Sequence, residues 1–232
     1  MASNEIYQDR ITFHTADFDY ALLARFLNYP AGKPVPAAVK SVLETQLLPV
    51  VETASLHYQY RMLPISGRDG QLYDLVVGDG QHLQGNLVYR LLRDSTHIIA
   101  HLISTPAQLP EADDEDLLVH AFFNTLLQMA AGHLRNVLRQ RFDLPDIRFT
   151  RRYAPGYCGW PIKDQRVILN LLEPAAIDVR ITSGLMLDPI HSLSGIFGLR
   201  TGQRISGDMP CYHCTSLSCR VHDDFSQELI YL

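Results

Sequence analysis

The sequence predicts an α+β protein, and three observations point that way. Segments with helical spacing are interspersed with short period-two runs, without the regular strand–helix repetition of a doubly wound sheet. The chain has 232 residues, 47% of them hydrophobic and 19% charged, which is enough for one well-buried core. No repeat or low-complexity linker interrupts it. Residues 1–232 therefore read as one domain, with a cysteine-containing tail at 205–232.

The first helix is expected over residues 18–29, where Phe18, Leu22, Leu23 and Phe26 recur at helical spacing before Pro30 and Gly32 stop the pattern. A second is expected over 37–51, with Pro36 suited to its first turn and Pro49 placed to kink or end it. Residues 56–63 alternate with period two and residues 72–77 form a short apolar run, so they read as a strand pair joined by a turn at Gly67-Arg-Asp-Gly70. A helix over 84–92 precedes a buried strand over 97–103.

The longest element is a helix from about 110 to 142. Pro110 and the acidic run 111–116 open it, and Arg135, Arg139 and Arg141 lie near its end, as the macrodipole favours. Its apolar stripe takes in Leu118, Phe122, Leu126, Met129, Leu134, Val137 and Leu138. His133 falls on the same stripe and reads as a partly buried imidazole. A strand over 147–153, a short helix over 164–172, and strands over 178–182 and 194–199 complete the series.

Bulk properties exclude some functions. A net charge of −5 argues against a nucleic-acid binder, which shows a basic face. The start lacks the basic-then-apolar layout of a signal peptide, and no apolar run is long enough to suggest a membrane span. The expectation is a cytoplasmic protein. In a reducing compartment, four cysteines favour metal or redox chemistry over disulfides.

Two segments carry chemistry. In Arg152-Tyr-Ala154-Pro155-Gly156-Tyr157-Cys-Gly-Trp160-Pro161 a cation, two prolines and three aromatic rings crowd together. Prolines fix φ and glycine permits angles other residues resist, so a rigid irregular loop with unconsumed amides is expected. A carboxylate suits the guanidinium and an adenine ring suits the aromatic faces. A structural Pro-Gly turn with packed aromatics fits the same composition. Alternation would turn Arg151 to the opposite face from Arg152. The second segment holds Cys211, Cys214 and Cys219, whose spacing can wrap zinc or an iron–sulfur cluster. His213, His222, Cys158 or an external group could fill the fourth place, and reduced, unliganded thiols are the alternative.

Other signals are weak. Gly78-Asp79-Gly80 faintly imitates a nucleotide-binding glycine loop but reads better as a tight turn. Ser192-Leu-Ser-Gly195 lacks the nucleophile elbow, and Asp164 and Asp188 read as a helix start and a turn. None of the ten histidines sits in a nucleophile motif, so no catalytic residue is assigned.

From Arg152 onward the chain resembles the activation domain of cobalamin-dependent methionine synthase, most closely its free-standing versions. The residues that carry the resemblance are Arg152 to Tyr157, Trp160-Pro161, Gln165, Leu171-Leu172, the stretch 182–189, and Ser192 to Gly195. Upstream, Arg25-Phe26-Leu27-Asn28-Tyr29 is similar to the family's Arg-Tyr-Leu-Gly-Tyr. The resemblance implies a bent antiparallel sheet with flanking helices. It also implies S-adenosylmethionine contacts at Arg152 (methionyl carboxylate), Ala154 (close backbone) and Tyr157 (packing), with Pro155 and Gly156 between them. Cys158-Gly159 stands where free-standing members carry Gly-Asp, and the family's upstream acidic residue and downstream Tyr have no matched position.

What the resemblance implies functionally is an accessory subunit in methionine biosynthesis. It would present a methyl group for reductive methylation of the cobalamin on a partner methionine synthase, with flavodoxin or ferredoxin as electron donor. The alternative is a metal- or cluster-bearing activator of another corrinoid methyltransferase.

Overall fold

The computed structural model describes residues 5–30, 33–53, 55–105, 116–142, 147–157 and 159–201. Its centre is an antiparallel sheet built around one long strand. Strands β1 (Ile6–Thr12), β2 (Ser55–Asp69), β3 (Asp74–Val77), β4 (Gln81–Gln84), β5 (His97–Ser104), β6 (Ile147–Phe149) and β9 (Ser192–Thr201) take the order β4-β3-β2-β5-β9-β6, with β1 also on β2. A separate small pair joins β7 (Arg180–Ile181) to β8 (Leu187–Asp188).

β2 is what curls the sheet. Its first half pairs with β1 from Arg61↔Ile6 to Ser55↔Thr12, and its second half pairs with β3 on the same edge. Along its other edge runs β5, from His57↔Ser104 to Pro64↔His97. A register shift between Ile65 and Gly67 marks the bend, as an unpaired residue locally increases twist. The expected turn at Gly67–Gly70 is therefore corrected. Gly67 lies inside the strand against the Val76 side chain, and the chain reverses over residues 70–73, where Tyr73 takes φ +50°. β1 and β4 are rich in polar residues, so their composition does not announce them as strands. Gly78-Asp79-Gly80 forms the three-residue connection between β3 and β4, with positive φ at both glycines.

Each face of the sheet buries its own cluster. On one face lie α1 (Tyr20–Phe26), α2 (Ala37–Val42), α3 (Leu48–Thr53) and α5 (Leu117–Arg141), packed on Tyr58, Tyr60, Ile99, Ile103 and Phe197. On the other, α4 (Asn86–Leu92) and α6 (Gln165–Asn170) pack on Leu63, Ile98, Ala100, Leu102 and Ile196. The odd residues of β5 thus face α5 and the even ones face α4 and α6, as the pleat requires. Side chains such as Leu23, Phe122 and Ile98 lose all or nearly all solvent contact, worth about 1.5–3 kcal/mol each against exposure.

Three helix expectations change. Pro49 neither ends nor breaks its helix: a π-turn at Leu43–Leu47 links α2 to α3, widening the spiral where the proline ring would meet the carbonyl four residues back. α5 begins at Leu117, not at 110, because Asp116 caps it by accepting from the Leu118 and Val119 N–H groups. The run 106–115 lies outside the described residues. His133 is exposed, although Phe122, Leu126, Leu134 and Leu138 of the expected stripe are buried, together with Phe123, Leu127 and Ala130. At 25 residues α5 is also long and apolar enough to cross a membrane by length and composition, contrary to expectation. Its buried positions are covered by the sheet and α1.

Candidate functional site

The chain enters the site along the β9 edge. The Thr150 N–H donates to the Gly198 carbonyl and Thr150 Oγ1 accepts from the Gly198 N–H, each at 2.8 Å. Tyr153 and Ile196 then exchange both backbone bonds, at 2.9 and 2.8 Å. Gly195 makes this approach possible. A Cβ there would lie 2.5 Å from the Tyr153 carbonyl oxygen, 3.1 Å from His101 Cε1 and 3.4 Å from Arg152 Cγ. Only glycine admits so close a backbone.

Arg152 is thereby laid across the α5 side of the sheet. Its Nη2 donates to Gln128 Oε1 on α5 at 3.2 Å, while Nη1 is buried with no hydrogen-bond partner. Burial pulls the guanidinium down to about 10, with the Tyr157 phenol acting in the opposite direction. His101, on β5, stacks on Phe197 with ring centroids 4.8 Å apart. It is wholly buried, and neither ring nitrogen makes a hydrogen bond of normal geometry. Burial and then the Arg152 charge pull its pKa to about 3, the Ile99 backbone opposing, so the imidazole is neutral at pH 7.

A guanidinium with its Nη1 buried and no ion pair among the described residues, beside an imidazole lacking normal hydrogen bonds, is costly. Orphaned buried polar groups cost about 1–3 kcal/mol each, and charged ones more. The same corner holds one uncharged acceptor for the guanidinium and leaves its second nitrogen free, which suits a carboxylate. Gln128 and His101 were not singled out in the sequence. The signal for His101 was a polar residue in the otherwise apolar strand His97–Ser104, on the face turned to α5.

The loop itself is more self-contained than its composition suggested. The Gly156 N–H donates to the Trp160 carbonyl, Trp160 N–H to the Tyr157 carbonyl, and Tyr157 N–H to the Ala154 carbonyl, at 2.8, 2.9 and 3.2 Å. Those three amides are consumed, not free. Gly156 takes φ +88°, Pro155 is buried and Ala154 half-buried. The Tyr157 ring is 68% exposed, projecting from the rim near Arg152. Beneath the loop, Asp164 accepts from Trp160 Nε1 at 2.7 Å and from the Gln84 N–H at 3.2 Å. Gln165 Nε2 donates to Ser194 Oγ at 2.8 Å, both groups being buried. Asp164 is thus the brace of the loop as well as the start of a helix.

A second polar contact lies further along the seam between α5 and β9. His120 Nδ1 and His191 Nε2 are 2.9 Å apart, and the His191 ring lies 4.3 Å from Phe123. Burial, then His120, pulls His191 to about 4. Cys158, Cys211, Cys214 and Cys219 lie outside the described residues. Among the described residues no group of three or more His, Cys, Asp or Glu could hold a metal.

With this geometry in place, solved structures supply a match. The chain superposes on the reactivation domain of MetH, a crystal structure with AdoHcy bound, at a TM-score of 0.55. The alignment covers 88% of this chain and 81% of that one, at 13% sequence identity. The two share a fold. The curled antiparallel sheet with helices on its faces is therefore a reactivation-domain architecture. No protein-family model matches the chain, and no curated protein matches it.

Proposed function

We propose that the chain binds S-adenosylmethionine at the Arg152 corner and presents its methyl group to a corrinoid carried by another protein. The observation that carries this reading is the half-buried Arg152 beside an aromatic loop, with its Nη1 buried and unpartnered. A ligand carboxylate would complete the guanidinium's bonding in the paired geometry arginine favours. The half-buried Ala154 backbone would pass close to the ligand, and the exposed Tyr157 ring would cover it. The fold shared with a domain solved with AdoHcy supports the same ligand class.

The protein's contribution would be positioning. Arg152 anchors the amino-acid end, so that the sulfonium is held at a fixed distance from the rim where a partner docks. One electron from a small donor, together with the methyl group, takes an oxidised cobalt(II) corrinoid to its methylated form and leaves the thioether behind; the corrinoid supplies that reactivity. No residue of this chain moves a proton in the step. The partner is a methionine synthase or another corrinoid methyltransferase, and the donor a flavodoxin or ferredoxin.

The test is transfer of labelled methyl from S-adenosylmethionine to a cobalt(II) methionine synthase lacking its own activation domain, in the presence of a reductant. Transfer should depend on this chain and fall at least about 100-fold with Arg152→Met, the scale of a lost charge-assisted pair. Methylation at the same rate with and without the chain would remove the assignment.

A further inference from the structure

We propose that Gln128 sets the charge preference of the Arg152 site, so that it holds the neutral thioether form of its ligand at least as tightly as the sulfonium form. The inference rests on the ligand reading above and adds to it a discrimination between the two states of one ligand.

The hydrogen-bond partner of the guanidinium and the imidazole beside it are both neutral. From α5 comes the Gln128 amide oxygen at 3.2 Å. From β5 comes the His101 ring, neutral and fully buried. Gln128 orients the guanidinium through a carbonyl dipole and leaves its full charge in place. The fully buried His101 ring beside it brings little solvent to screen that charge.

The ligand's carboxylate answers that charge once. Its sulfonium is a further cation, and only three carbons separate it from the carboxylate carbon, so it sits within roughly 8 Å of the guanidinium by covalent reach. At that range and a near-surface dielectric, two like charges shift binding on the order of tenfold. The thioether left after methyl transfer makes the same carboxylate, amine, ribose and adenine contacts without that penalty. The site is therefore built to retain its product and to yield it slowly to fresh methyl donor.

Gln128→Glu changes no shape and adds one negative charge beside Arg152. Calorimetric titration of the full chain with S-adenosylmethionine and with S-adenosylhomocysteine gives the ratio of the two affinities, in which contacts common to both ligands cancel. In the wild type the thioether should bind as tightly as the sulfonium or tighter. In Gln128→Glu the ratio should move toward the sulfonium by about tenfold. Gln128→Met, uncharged and of similar volume, should keep the wild-type ratio even if both affinities fall, which separates charge from packing. A wild type that prefers the sulfonium tenfold, or an unchanged ratio in Gln128→Glu, overturns the proposal while leaving the ligand reading intact. Absence of binding by either ligand, or wild-type binding of both by Arg152→Met, overturns the ligand reading and the preference with it.

Discussion

Two corners of this molecule are built from polar side chains, and they are finished differently. Beneath the loop, Trp160, Asp164 and the Gln84 amide close on one another, and Gln165 closes on Ser194. On its α5 side His101 is fully buried and Arg152 half-buried, and Arg152 Nη1 and both His101 ring nitrogens are buried without a hydrogen bond of normal geometry. The first corner has the form of a structural brace, since satisfied buried networks rigidify a fold. The second keeps an unfilled bonding capacity that a fold alone does not require. The proposed ligand would complete the bonding of the guanidinium there.

Removing the brace should have the largest effect on stability. Asp164→Ala strands the Trp160 and Gln84 N–H groups and should cost about 3 kcal/mol in urea denaturation, with ligand affinity falling only as the loop loosens. An unchanged midpoint would show that the lower corner is not a brace. Gly195→Ala comes next, at about 2 kcal/mol, because its Cβ would press on the Tyr153 carbonyl. Hydrogen exchange at Tyr153 and Ile196 should rise with it; protection equal to the wild type would show that the close approach is dispensable.

His101 sharpens the contrast through pH. Its folded pKa of about 3 lies below the unfolded value near 6.5, so the unfolded chain binds the extra proton. Stability contributed by the neutral ring is complete above about pH 6.5 and is lost as pH falls toward 3, amounting to about 2 kcal/mol by pH 5. His101→Phe, which can still stack on Phe197, should lessen the fall in stability between pH 7 and 5 by that amount. An identical pH slope would place the ring in a less buried setting. Tyr157→Ala should give the smallest change in stability, within about 0.5 kcal/mol for an exposed side chain, while lowering S-adenosylmethionine affinity about tenfold. A stability loss above 1 kcal/mol would make Tyr157 part of the brace.

Much of the fold could be read from the sequence because its signals are local. Phe18 to Phe26, the alternation after Leu56 and the apolar run of β5 each announce their own period. β1 and β4 escaped because their pairing to β2 and β3, not their composition, makes them strands. The end of β2 was misplaced for a related reason: Gly67 is a turn residue by composition, but packing against Val76 holds it in the ladder. The site was legible only in part. Arg152, Ala154 and Tyr157 stand together in the chain, whereas Gln128 and His101 reach them from α5 and β5, and no spacing rule connects positions 101, 128 and 152. Only the antiparallel register that sets His101 opposite Gly195 does so.

The most direct test of the contrast measures one variant in two ways. Arg152→Met should leave urea stability unchanged or raise it by up to about 1 kcal/mol, since it removes a half-buried charge with no ion pair among the described residues, and calorimetry should show S-adenosylmethionine binding weakened at least about 100-fold. A variant that loses 2 kcal/mol or more of stability yet binds the ligand like the wild type would make the guanidinium a structural element and contradict the account.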